Sequence, residues 1–309
     1  MSKATPEIPG NLYYGGQAVM EGVMIRGPQH MAVAVRNPKG EIVRHAEKLN
    51  SIYTGNLRKV PLLRGMIVLW ETLALGMRAL SYSSHIALEE EDKDGKPVEF
   101  PERVFWGSVI LALVFVGGVF FAGPILLAHL LEGLGWARFW IVAVETVIRL
   151  GAFVLYIWAI GRIPEIKRVF QYHGAEHMTI HAYEAGRNLV PAEIRDYPKE
   201  HQRCGTSFLL IVIMVALVTF FAFDLLVDRG LLIRTLSRIV FIPPIAGIAY
   251  EFLRFGARFG GNVFVKAMFL PNILLQGLTT KVPDDSQIEV AIASFNAVLE
   301  VTETGTLAA

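Results

Sequence analysis

The sequence predicts a mainly α-helical polytopic membrane protein, with about four transmembrane helices and a small N-terminal α+β part containing a β-hairpin. Three observations predict it. Of the 309 residues, 53% are hydrophobic and only 18% charged, against roughly 45–50% and about 25% in an average soluble domain. Four mostly apolar stretches follow residue 102, and a spanning helix needs about 20 such residues. Residues 12–60, by contrast, read as water-soluble and strand-rich.

The N-terminal part, residues 1–88, begins MSKATPEIPGN and lacks the apolar stretch of a signal peptide, so an internal segment is expected to direct insertion. Met31 to Arg36 alternates apolar and small residues, Asn37-Pro38-Lys39-Gly40 is a turn signal, and Glu41 to Ala46 resumes the pattern. That is a β-hairpin. Before it, GGQAVMEGVMIRGP (Gly15–Pro28) sets four glycines among apolar residues, which marks a close backbone approach or an unusual φ. It is not a phosphate loop, because the G-K-[ST] ending is missing. Glu21 and Arg26 stand out as charges inside it. Residues 61–88 read as a helix with a broad apolar surface, either packed on the soluble part or lying in the membrane interface. Residues 89–102 form an acidic linker.

Residues 103–260 hold the membrane region. The expected spans are Val104 to Leu131, Trp136 to Ile160 with Glu145 and Arg149, Ser207 to Val227 with Asp224, and Leu231 to Phe252 with Arg234 and Arg238. Pro243-Pro244 interrupts the fourth, which is either kinked or two half-helices. Arg234 and Arg238 are expected to snorkel toward the membrane surface. Glu145 and Arg149 form an i, i+4 pair, expected to neutralise each other or to meet Asp224 or Glu251. The connection 161–206 carries Arg162, Lys167, Arg168, Arg187, Arg195, Lys199 and Arg203, which predicts a cytoplasmic loop with both termini on the same side. Residues 261–309 form a helical tail, in which Ser286 and Glu289 fit a capping box before an amphipathic run.

The loop 161–206 also carries the candidate chemistry. In RIPEIKRVFQYHGAEHMTIHAYEAG (Arg162–Gly186), His173, His177 and Glu184 fall within about 40° on a helical wheel, with Glu176 about 60° to one side and His181 about 40° beyond His177. His173-Gly-Ala-Glu176-His177 matches H-x-x-E-H, in which the two imidazoles hold zinc and the glutamate acts as general base. The candidate metal ligands are therefore His173, His177 and Glu184, with His201 or Cys204 closing the shell, and Glu176 is the candidate base. Imidazole, thiolate and carboxylate suit a divalent transition metal, zinc first. Half of the eight histidines lie between His173 and His201, close to the only cysteine, Cys204. Gly174 inside the helix costs about 1 kcal/mol against alanine, which a backbone or ligand approaching that face would explain. The true inverse zincins take their third ligand from much further along the chain, so protease activity is not expected. A solvated polar face is the plain alternative. A net charge of +1 gives no field to gather nucleic acid. The expected partner is the lipid bilayer, with a membrane-protein partner or homo-oligomer beside it.

GGQAVMEGVMIRGP, LLRGMIVLWETLALGMRAL (Leu62–Leu80), YHGAEHMTIHAYE (Tyr172–Glu184) and RCGTSF (Arg203–Phe208) together resemble the YqhQ family of bacterial membrane proteins. The resemblance implies a multi-pass protein of the bacterial inner membrane and a metal-dependent enzyme. Family sequences commonly read H-P-R-C where this chain has His201-Gln202-Arg203-Cys204, and often have Lys where Met178 stands; neither change touches a candidate ligand. A membrane-bound metal-dependent hydrolase is thus the first expectation. The rival is a non-catalytic scaffold, or a factor for insertion or assembly of other membrane proteins. A transporter is a third.

Overall fold

The computed structural model describes residues 14–88, 102–201, 205–227, 231–259 and 261–306. Its strands form one antiparallel meander in the order β1 (Gly15–Val19), β2 (Gly22–Arg26), β3 (His30–Arg36) and β4 (Ile42–Lys48). The hairpin of β3 and β4 is the one that alternation predicts. Arg36 faces Ile42 across a turn in which Gly40 takes a φ of 88° and the Asn37 side chain accepts the Glu41 N–H at 2.8 Å. The glycine-spaced run forms a second hairpin, β1–β2, turning at Met20-Glu21 with Glu21 at a φ of 47°. Its alternation is hidden because Val23, Met24 and Ile25 are all buried, so no polar residue marks an outer face.

The helices follow in chain order. A short helix α1 (Ser51–Thr54) and a 3-10 turn lead into α2 (Leu63–Ala87). Then come α3 (Glu102–Gly117), a π-helical turn over Gly118–Ala122, α4 (Gly123–Gly133) and α5 (Arg138–Ile160). The remaining helices are α6 (Pro164–Glu184), α7 (Pro191–Ile194), α8 (Gly205–Leu226), α9 (Leu231–Val240), α10 (Ile242–Phe259), α11 (Val263–Thr279) and α12 (Asp285–Thr304). Among the described residues three helices are long and apolar enough to cross a membrane: Trp106–Gly133, Arg138–Ile160 and Phe208–Leu226. The fourth expected segment is two helices, α9 and α10, parted at Phe241. Pro243 and Pro244 sit in the first turn of α10, where their missing N–H groups cost least.

The sheet is sandwiched between helices. Val23, Ile25, Ala32 and Ala34 pack on Tyr172 and Ala175 of α6 and on Ile288, Ala291 and Phe295 of α12. On the other face Val19, Met24, Met31 and Val33 pack on Leu75 and Ala79 of α2. This layer is thus assembled from three separated parts of the chain. The start of α12 differs in detail from the expectation. Its capping box is formed by Asp284 and Gln287, not by Ser286 and Glu289. Glu289 instead accepts from Arg36 at 3.1 Å, and the Ser286 hydroxyl donates to Asp284 at 2.6 Å.

α2 joins the two regions. Beyond its sheet-facing half, Gly65 lies against Ala246 and Gly247 of α10, and Arg64 pairs with Glu251. Trp70 and Leu73 point outward, 66% and 50% exposed, so one face is packed and another leaves apolar surface uncovered by protein.

Charges inside the bundle are paired across helices. Arg149 holds Glu145 at 2.6 Å and donates from Nε to the Phe120 carbonyl at 2.9 Å. That carbonyl would ordinarily accept from residue 124, but Pro124 has no N–H to offer. Arg238 does not snorkel. It is buried, paired with Asp224 of α8, and 3.8 Å from Glu145 of α5.

Candidate metal centre

α6 starts with Pro164 in its first turn and is followed by Gly186 at a φ of 67°, the punctuation a helix prefers. Its central stretch from Tyr172 to Ile180 is buried, because the sheet, α12 and two chain segments close around it. One segment leaves α11, and there the Lys281 N–H donates to the Phe170 carbonyl at 2.8 Å. A Cβ on Gly174 would overlap the Lys281 carbonyl oxygen, so the helix glycine admits backbone. The other segment is Lys199 to His201, ahead of α8.

These two segments fix the histidines. His173 Nδ1 lies 2.9 Å from the Thr279 carbonyl, and His177 Nδ1 lies 2.5 Å from the Lys199 carbonyl. A carbonyl can only accept, so each Nδ1 carries a proton, and the neutral form of each ring has its lone pair at Nε2. Both Nε2 atoms face Glu176. Its Oε2 is 3.6 Å from His177 Nε2 and 4.0 Å from His173 Nε2, and no side chain of the three is more than 5% exposed. Ligand atoms tetrahedral about zinc stand roughly 3.4 Å apart, from bond lengths near 2.0–2.2 Å. The three donors therefore need only small adjustments to converge on one ion. A ligand imidazole whose other nitrogen donates to a carbonyl is the usual arrangement in metal sites.

A second group lies further along α6. His181, Glu184 and His201 bring their ligand atoms within 4.8 Å of one another. His201 Nε2 is 3.5 Å from Glu184 Oε2, and the His181 and His201 rings are 4.4 Å apart. His181 Nε2 donates to the Glu200 carbonyl at 2.9 Å. Burial holds the His181 pKa below the ordinary histidine range; the Glu200 carbonyl opposes this, and His201 and His177 add to it.

The structure thus groups Glu176 with His173 and His177 as a possible ligand. It places Glu184 with His201 and with His181, a residue absent from the expected ligand set. Cys204 lies outside the described residues. Sequence reasoning also missed Gly16. A Cβ there would stand 2.9 Å from both Cγ and Oε1 of Glu176, so β1 lies directly on the carboxylate. The rest of the glycine motif anchors this strand. Glu21 holds Arg168 of α6 through two contacts of 2.5 Å and accepts from Tyr172 at 3.1 Å. Arg26 reaches the other way, to Glu71 of α2 at 2.9 Å.

Fold and site define a class: a helical membrane protein carrying a discontinuous α/β layer with buried histidine–glutamate groups. The family model described as "Protein of unknown function (DUF1385)" matches residues 60–301. The chain is 34% identical over 303 residues to "Uncharacterized protein YqhQ" of Bacillus subtilis (strain 168), covering 93% of this chain and 92% of that protein. The chain belongs to the YqhQ family. No solved structure matches it.

Proposed function

We propose that the chain is a membrane-bound, metal-dependent hydrolase whose site lies at the cytoplasmic face of the bacterial inner membrane. One observation carries the reading: two backbone carbonyls fix the His173 and His177 rings so that both Nε2 atoms face the Glu176 carboxylate. Two imidazoles and one carboxylate are a donor set that catalytic zinc uses, with a fourth position open. A bound divalent transition ion, zinc first, would supply Lewis acidity and activate a water for hydrolysis at neutral pH. The chain's own part is to hold and orient. His173 and His177 offer nitrogen ligands of defined tautomer, and Glu176 offers an anionic oxygen. β1 at Gly16 walls off that carboxylate.

The bilayer supports the location. The soluble layer collects chain from before α3, from between α5 and α8, and from after α11, so crossings between these parts come in pairs. The Trp106–Gly133 helix and α5 make one pair; α8 and the broken α9–α10 segment make the other. The seven cations of the 161–206 connection support a cytoplasmic side for this layer.

Elemental analysis of detergent-purified protein tests the reading. Wild type is expected to carry stoichiometric transition metal, and His173→Ala/His177→Ala to lose the ion bound there. A metal-free wild type, together with a double variant that functions normally in cells, would sink it. Copurification of such a variant with a translocon or another membrane complex would then favour the scaffold or assembly-factor reading.

A further inference from the structure

We propose that His181, Glu184 and His201 bind a second divalent transition ion, separate from the one assigned to His173, Glu176 and His177. The inference rests on the metal-centre reading above and extends it.

The second group has the same donor chemistry as the first, two imidazoles and one carboxylate, but draws it from two elements. His181 and Glu184 lie at i and i+3 on one face of α6. His201 comes from the connection before α8 and brings its Nε2 to 3.5 Å from Glu184 Oε2. Each imidazole is positioned from outside. The hydrogen bond from His181 Nε2 to the Glu200 carbonyl leaves Nδ1 as the nitrogen that can ligate. His201 is held by its backbone. Its N–H donates to Gln276 Oε1, and its carbonyl accepts from Gln276 Nε2, both at 3.0 Å. Gln276 is itself buried, on α11. A single side-chain amide engages both main-chain groups of this loop histidine, and the His201 side chain is only 4% exposed.

Distance separates the two groups. At 1.5 Å per residue, His173 and Glu184 stand about 16 Å apart along the helix axis, and Glu176 and Glu184 about 12 Å. Ligands on one zinc ion lie within about 4 Å of each other. One ion therefore cannot take both complete groups. The nearest rings across the gap are those of His177 and His201, 5.8 Å apart. The two positions also differ in access. The side chains of the first group are at most 5% exposed, whereas that of Glu184 is 29% exposed, so the second position lies nearer to solvent.

Full-length protein in detergent, stripped with chelator, reloaded with zinc and passed through gel filtration, gives the test by metal-to-protein ratio. Two equivalents are expected in wild type. One is expected in His181→Ala/Glu184→Ala, and one in His173→Ala/His177→Ala. Glu184→Gln, which keeps the side-chain shape, serves where the double variant elutes as aggregate, and it is expected to retain close to one equivalent. A single equivalent in wild type overturns the proposal, and the variants say how. If only the His173/His177 change removes it, the second group is empty and the first reading stands. If either change removes it, one ion is shared through His177 and His201. A wild type that binds no zinc overturns both readings together.

Discussion

Gly16 shows how a single missing side chain shapes the site. Its Cα faces the Glu176 carboxylate, and the Cβ of any other residue would stand 2.9 Å from two of that side chain's atoms and 2.5 Å from the Met24 carbonyl. Neither neighbour has room to yield, since Glu176 is buried and Met24 is in the ladder. Overpacking of this kind costs about 1–3 kcal/mol, and here the strain falls on a candidate ligand. Gly16→Ala is therefore expected to lower metal content several-fold while the circular dichroism spectrum stays helical; full metal occupancy in that variant would show that β1 does not set the carboxylate's position. The sequence makes half of this legible. Glycines spaced through GGQAVMEG announce a close approach, but the approaching group lies about 160 residues further on, and no local pattern names it. Gly174 is similar: the spacing says that something comes near, and only the fold says that it is the Lys281 carbonyl. His173, His177 and Glu176 were readable because helical spacing puts them on neighbouring turns. Glu184 and His201 are expected in one shell, but their union with His181, apart from His173 and His177, is not legible, because it depends on where the loop before α8 returns.

At the scale of elements, the strongest sequence signals belong to segments that contrast with their surroundings. β3 and β4 alternate beside a turn, and the three long spans are continuous apolar runs. β1 and β2 escape notice because a helix covers each face of the sheet. α9 is harder still, since its charged residues look suited to a membrane surface, yet Arg238 turns inward. It ties α9 to Asp224 of α8 and approaches Glu145 of α5, which Arg149 already holds. The four groups pair two cationic with two anionic side chains, so losing any single one leaves the cluster unbalanced. Removing one member of a buried pair costs about 3–5 kcal/mol, whereas replacing both by apolar groups is often neutral. Asp224→Ala is accordingly expected to lower the thermal unfolding midpoint in detergent sharply. Asp224→Leu/Arg238→Leu should recover most of that loss, because Glu145 keeps Arg149 at 2.6 Å. Equal destabilisation by the single and double changes would mean that the pair does not carry the tie between α8 and α9.

The whole molecule is organised by one topological demand. A four-stranded sheet from the N-terminal part has α6 and the C-terminal α12 on one face and α2 on the other. A sheet with both faces covered folds only if all its contributors are on the same side of the bilayer, and the chain between them must cross an even number of times. On the proposed topology the broken α9–α10 segment is the return path for α8, although neither half alone is long and apolar enough to qualify as a span. It also leaves α11 on the side of the histidine–glutamate groups, where Thr279 at its end meets His173. Epitope tags read the consequence directly. One tag enters the α4–α5 turn at Gly135, which has a φ of 77° and where an added Cβ would meet nothing; another follows the C-terminus. In intact spheroplasts of the expressing bacterium, added protease should remove the Gly135 tag and spare the C-terminal one until the cells are lysed. An N-terminal tag should behave as the C-terminal tag does. If protease reaches one terminus and not the other, the number of crossings is odd and α12 cannot lie on the sheet of the same chain. If both termini are digested while the Gly135 tag survives, the layer assembles as described but on the opposite side, and the site faces the exterior.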